Sequence, residues 1–478
     1  MKLYNNNIFI LFYKFFYLKL EMKNINIILF LVIFSFSFSQ FIYEFNRDLI
    51  LNESMTDKEI MTTIAYNDLF TYIKIGTPEK ELKVSITFHE KSLVLVGSEV
   101  ERPNVFNESE STSFKKVSNE MYLIKNQLYN GYICEDLLKL NNYDKAVKVQ
   151  FFLAEEIYKS SYSFDDEYEP VSFSGYIGLS INSMFRTDMP ESLPTYLYEA
   201  YNYDYNFKSP FTIMFDNPSD KKSYRGKLIL NGYPHEYNKT YHEEQYLSSK
   251  MQKDHQNYPE WCFSLDTIYY DKNIVIENQR IIFRPEYGVI IGNDKLLKYL
   301  KDIYFNEYIE NKICNTSKFD LIGDSYNYFV CDNKINITKM KNISFEVKEN
   351  NFNFTLDYND LFYEYNNKFY YLIISKNFEY SSFLYIGSPL MKKYEFVFDR
   401  YKSKIGYYNK SIPFINKEEE NNNKGNNLVL IISIIALSVL IVAVLSYIIW
   451  SYLNKPRIQR KNELNDDYNY VSQETINN

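Results

Sequence analysis

Residues 69–97 read LFTYIKIGTPEKELKVSITFHEKSLVLVG, and the fold follows from how that stretch is punctuated. Tyr72, Ile73 and Ile75 open a strand pattern, and Gly76-Thr77-Pro78 turns it. Leu82, Val84 and Ile86 then alternate with Lys83 and Ser85, as in a half-buried strand. A loop, Thr87-Phe88-His89-Glu90-Lys91, leads to the apolar run Leu93–Val96 and Gly97. The second half of the chain repeats this plan. Ile281-Ile282-Phe283 enters the loop Arg284-Pro285-Glu286-Tyr287, Gly288–Gly292 leaves it, and a helical stretch over Lys295–Tyr304 follows. Strand, tight loop and strand, once per half, predict a two-lobed, mostly β protein with an internal pseudo-repeat. The plain alternative is coincidence, since short apolar runs often flank loops. An aromatic content of 18% favours strands in either case.

Further segments keep the order of a known family. They are Phe106-Asn107 with Ser111-Thr112-Ser113-Phe114, Gly131 with Asp136, Ser174–Leu179 (SGYIGL), Ser209-Pro210-Phe211-Thr212, Gly226-Lys227-Leu228, Asn231-Gly232-Tyr233 and Trp261–Asp266 (WCFSLD). Residues 385–399, YIGSPLMKKYEFVFD, with Ile405-Gly406 after them, close the series. Together with 69–97 these segments resemble, in order from Leu69 to Tyr408, the pepsin-like aspartic proteases. The resemblance implies a bilobal pepsin-like acid-protease fold, with an amino-terminal lobe over 64–220, a carboxyl-terminal lobe over 221–412 and a cleft that accepts extended peptides. It also implies peptide hydrolysis by one aspartate from each lobe, although function does not follow from fold.

The chemistry departs from that family at both decisive places. Its two aspartates share one proton, because like charges so close cannot both ionise. Each sits in a D-T/S-G loop, whose hydroxyl braces the pair and whose glycine admits a close backbone. Here the first position is Thr87, followed by Phe88 and His89, and the second is Arg284, followed by Pro285 and Glu286. An alcohol is no carboxylate near neutral pH, and a guanidinium stays protonated. The degenerate dyad positions Thr87 and Arg284 therefore predict no catalytic residue. The flap tyrosine position is Ile124, and the Asp of the family's D-G-I-L-G-L is Ser174. Two rescues stand against this. Glu90 and Glu286 supply carboxylates if the alignment slips in each loop; otherwise they are solvated or ion-paired loop residues. Ser92, His89 and Glu90 offer a serine-type set; otherwise they are a strand hydroxyl and loop side chains, since triads are recognised by spatial role. Arg284 needs a partner at a cleft floor, either Glu90 or Glu286 or a ligand carboxylate. The reading is a pseudoprotease that binds a peptide or protein ligand by strand-like pairing. Its rival is a membrane-tethered aspartic-type endopeptidase with a non-standard site, and a third reading is a structural surface coat.

The ends of the chain set its topology. Met22 and Lys23, the apolar Ile25–Phe38 and the small residues at Ser37-Phe38-Ser39 have the layout of a secretory signal, preceded by an extension over 1–21. An uncleaved anchor is the alternative. Residues 40–63 form a short leader whose only basic residues are Arg47 and Lys58. Family zymogens carry a basic prosegment whose lysine neutralises the dyad, and a chain without a dyad has no need of that latch. A polar linker, 413–427, precedes Leu428–Trp450, which is uncharged and long enough to cross a ~30 Å hydrocarbon core. Glu418, Glu419 and Glu420 lie before it and Lys455, Arg457, Arg460 and Lys461 after it, which places the tail, 451–478, in the cytoplasm. The expected protein is a single-pass type I protein of the secretory pathway, at the cell surface, vacuole or a vesicle membrane. In the tail, Tyr468-Asn469-Tyr470-Val471 resembles a tyrosine sorting signal read by adaptors, against the alternative of an unread tail.

Asn52, Asn107, Asn238, Asn315, Asn336, Asn342, Asn353 and Asn409 each begin an N-x-S/T triplet between signal and span, as glycosylation acceptors of an outward segment would. Of four cysteines, Cys314 and Cys331 are close in sequence and form the expected disulfide, as the family's last pair also implies; Cys134 and Cys262 have no spacing argument. There is no C-x-x-C, and His89, His235, His242 and His255 show no ligand spacing, so neither metal nor cofactor is expected. A net charge of −8 argues against a nucleic-acid partner.

Overall fold

The two predicted strand-loop-strand units form in the computed structural model, one in each of two β lobes. The structure describes residues 40–411 apart from 48, 67–68, 101–103, 119–121, 125–127, 142–145, 159–172, 182–189, 206–207, 217–223, 254–259, 322–323 and 377–382. The signal, the span at Leu428–Trp450 and the sorting motif lie outside the described residues. Among the described residues no helix is long and apolar enough to cross a membrane.

The first lobe is an eight-stranded sheet built from strands between Leu69 and Gly178. Leu69–Ile75 pairs antiparallel with Lys80–Thr87, through the turn at Gly76, whose φ of +90° suits glycine. The segments that carried the family pattern meet at this turn. Ser111 Oγ accepts from Thr77 N at 2.9 Å, and Ser113 Oγ donates to Asp136 Oδ1 at 2.5 Å and lies 2.8 Å from Thr77 Oγ1. The alternation read at Leu82, Val84 and Ile86 holds at the start of Lys80–Thr87, but Ser85 and Thr87 are buried as well. Toward its end the strand runs into the protein interior, where both of its faces are covered.

The second lobe is an eleven-stranded sheet drawn from strands between Cys262 and Ile386. The helix read at Lys295–Tyr304 is present as Asp294–Leu300, capped by Asn293, and continues through a π-turn, Lys301–Phe305, into Asn306–Glu310. A disulfide joins Cys314 and Cys331, which face each other in adjacent antiparallel strands. Cys134 and Cys262 are free and buried.

A six-stranded sheet lies under both lobes and takes strands from the leader and from both halves of the chain: Phe41–Phe45, Phe211–Phe215, Gly226–Leu230, Tyr246–Lys250, Phe396–Asp399 and Lys404–Tyr408. The leader is therefore structured. Phe41–Phe45 forms an edge strand of this sheet, and Asp57–Ala65 is a helix with a Thr56/Glu59 capping box. Its face of Ile60, Met61, Ile64 and Ala65 packs on second-lobe residues that include Tyr287, Val289 and Tyr328.

Candidate functional site at the floor between the lobes

Each loop of interest hangs from a strand that runs parallel to a later strand of its own lobe. Lys80–Thr87 lies beside Gly175–Gly178, with Leu179 N donating to Thr87 O at 2.9 Å. Asn273–Phe283 lies beside Phe383–Ile386, with Arg284 N donating to Ile386 O at 2.9 Å. The same local topology in two lobes brings the two loops together. Phe88 N donates to Glu286 Oε2 at 3.5 Å, and His89 Nε2 lies 3.0 Å from Glu286 Oε1. Residues far apart in sequence thus share one floor, to which Thr87 and Arg284 lead from the two lobes.

Arg284 is 4% exposed and finds its counter-ion within the protein. Its Nη2 lies 3.1 and 2.9 Å from the two carboxylate oxygens of Glu260, and its Nη1 donates to Phe283 O at 3.1 Å. Burial works against its charge, but Glu260 and then Glu286 outweigh it, and the guanidinium is held above its ordinary range. The partner expected from sequence was Glu90 or Glu286. The structure gives Glu260, which directly precedes the buried Trp261 and is itself 5% exposed. An acidic residue abutting an apolar strand was the only signal for it. Glu286 is fully buried and serves the lobe junction through His89 and Phe88.

The floor is braced by aromatic packing. Phe88 is 1% exposed and meets Phe211 and Phe398 edge to face, with centroids at 5.9 and 5.0 Å. Trp261 joins the same cluster and donates its Nε1–H to Leu179 O at 2.7 Å, tying the second lobe to the first. Edge-to-face pairs contribute roughly 0.5–1.5 kcal/mol each beyond area burial. Thr87 Oγ1 accepts from His89 N at 3.0 Å, a local turn contact.

The serine-type rescue does not assemble. Burial raises the Glu90 carboxyl to about 7. Ser92 Oγ donates to Pro190 O at 2.6 Å, and His89 Nε2 is turned to Glu286, so no serine-type relay forms. Desolvation and then Arg284 lower the His89 pKa. Its side chain is 39% exposed and a carboxylate is close, both of which moderate that depression. Ile124 ends a short strand, Tyr122–Ile124, and pairs with Tyr129. Among the described residues no group of three or more His, Cys, Asp and Glu is placed to hold a metal ion.

Two β lobes, each contributing one loop to a common floor above a shared sheet, define the bilobal aspartic-protease class. A family model described as eukaryotic aspartyl protease matches residues 68–409, and the chain belongs to that family. No curated protein matches it.

Proposed function

We propose that this protein is a non-catalytic member of its family, a pseudoprotease that binds peptide or protein ligands. The observation that carries the reading is the bond of Arg284 to Glu260 at the second carboxylate position, opposite Thr87 at the first. A buried ion pair there supplies neither the base that activates water nor the acid that polarises a carbonyl. Strand-like backbone pairing with an extended ligand needs no aspartate. In this reading the described segment faces outward, one helix at Leu428–Trp450 holds it in a secretory-pathway membrane, and adaptors read the tail at Tyr468.

A second reading keeps an endopeptidase with Glu286 and Glu90 in place of the aspartates. It is favoured by the arrival of Glu286 at the floor from the opposite lobe. Incubating the detergent-solubilised full chain with a quenched peptide library between pH 3 and 8 separates the two. No turnover is expected. Cleavage that survives changes at Thr87 and Arg284 but is lost in Glu286→Gln or Glu90→Gln would establish the enzyme instead.

A further inference from the structure

A small cavity lies behind the loop Arg284–Tyr287. The strand Phe383–Ile386 passes through Gly387 into the short helix Ser388–Lys393, and Ser388 N donates to Tyr287 O at 2.7 Å, which fixes the start of that helix against the loop. The cavity measures about 30 Å³, and Tyr224, Asp360, Leu372, Ser388, Pro389 and Lys392 stand around it. That is room for water or a halide-sized ion. Ser388 is 1% exposed, and its Oγ is buried with no hydrogen-bond partner among the described residues. A buried hydroxyl left in that state is costly, so it points to an occupant of the cavity.

The neighbours say which occupant. Lys392 stands four residues beyond Ser388, on the same side of the helix, and is 8% exposed. Its Nζ lies 4.4 Å from the centre of the Tyr224 ring, and the guanidinium of Arg47, 4% exposed, lies over the same ring at 4.4 Å. Two buried cationic groups around one ring disfavour a bound cation. The carboxylate at the cavity, Asp360, is held from its far side: its Oδ2 accepts from Lys393 Nζ at 2.6 Å and from Asp357 N at 2.8 Å, and Lys393 also lies 3.6 Å from Asp357 Oδ2. An ammonium can only donate, and the Ser388 hydroxyl is free to donate beside it. A small anion accepts from both, and bonds to an ionised partner are the stronger ones, so it is favoured over water.

We propose that this cavity binds one small monovalent anion of chloride size, held by the Ser388 hydroxyl and the Lys392 ammonium, and that the ion braces the floor loop from behind through the Ser388–Tyr287 bond. The proposal is independent of what the cleft in front of the loop binds.

The test follows the melting temperature of the detergent-solubilised full chain as sodium chloride replaces sodium gluconate at constant ionic strength. A saturable rise is expected, because an ion bound only by the folded state stabilises it by mass action, and bromide should act as chloride does. Ser388→Ala removes one donor and should weaken the apparent chloride affinity roughly tenfold or more. Ser388→Asp brings a carboxylate of the chain's own into the cavity and should abolish the chloride response. A melting temperature indifferent to the anion in wild type means that the cavity holds water, and overturns the proposal. A saturable rise that is unchanged in Ser388→Ala places the ion elsewhere and overturns it equally. Should Ser388→Asp not fold, the comparison of wild type with Ser388→Ala decides alone.

Discussion

At Arg284 one buried ion pair ties the floor between the lobes to the stability of the fold. A guanidinium 4% exposed is tolerable because Glu260 takes it with two oxygens. Arg284→Ala leaves Glu260 buried and unpaired and should cost about 3–5 kcal/mol in denaturant unfolding. Replacing both residues with apolar ones of similar volume should recover most of that loss, because the pair's own desolvation cost vanishes with it. Stability unchanged in Arg284→Ala would place the side chain in solvent and remove the sealed floor. Glu90 makes a pH prediction. Its carboxyl is raised to about 7 in the fold by burial, from an ordinary 4.5. A raised acid favours the folded state when protonated, so its contribution is whole below pH 4.5 and is lost as pH rises through about 7. Glu90→Gln should therefore flatten the fall in melting temperature across that window and melt higher than wild type above it. Parallel melting curves for the two chains would refute this.

Among the elements, the paired strands Cys314–Leu321 and Asp324–Asp332 carry the only disulfide of the described residues. The two cysteines lie 17 positions apart, so the bridge closes a short loop and should contribute about 3 kcal/mol through the unfolded state. Replacing both with serine should lower the denaturant midpoint accordingly, and non-reducing peptide mapping of wild type should recover the cross-linked pair. The aromatic cluster makes a contrasting case. The Phe88 ring holds the lobe junction by packing, so Phe88→Thr should destabilise the fold. A cavity and an unpartnered hydroxyl arise together, at a combined cost of about 3 kcal/mol or more by thermal unfolding.

Across the whole molecule, the eight N-x-S/T acceptors share one property: none is buried. The two buried asparagines of the described residues, Asn231 and Asn293, begin no such triplet. Asn238 and Asn409 also accept, through Oδ1, the hydroxyl of the residue two positions on, in exposed turns. A glycan at any of the eight can leave the surface without displacing core. If the segment faces the secretory lumen, enzymatic deglycosylation of the full chain should give a clear mobility shift that Asn→Gln changes at these sites reduce stepwise. No shift from a eukaryotic secretory host would count against the outward-facing topology.

The order of segments from Leu69 to Tyr408 was enough to determine the family and the two β lobes, and the close spacing of Cys314 and Cys331 was enough to expect their bridge. Those features are written locally, in strand alternation, in turn residues and in the side chain that stands at a known position, and local patterns are legible in one dimension. The partner of Arg284, the aromatic brace around Phe88, the Glu286–His89 contact and the docking of the leader were decided only by tertiary structure. Each joins residues brought together by sheet pairing and lobe closure, and spacing along a chain carries no record of that. Glu260 looked like an ordinary charge before a strand. Burial beside Arg284 made it the counter-ion, because a desolvated guanidinium holds whichever carboxylate the fold delivers to it.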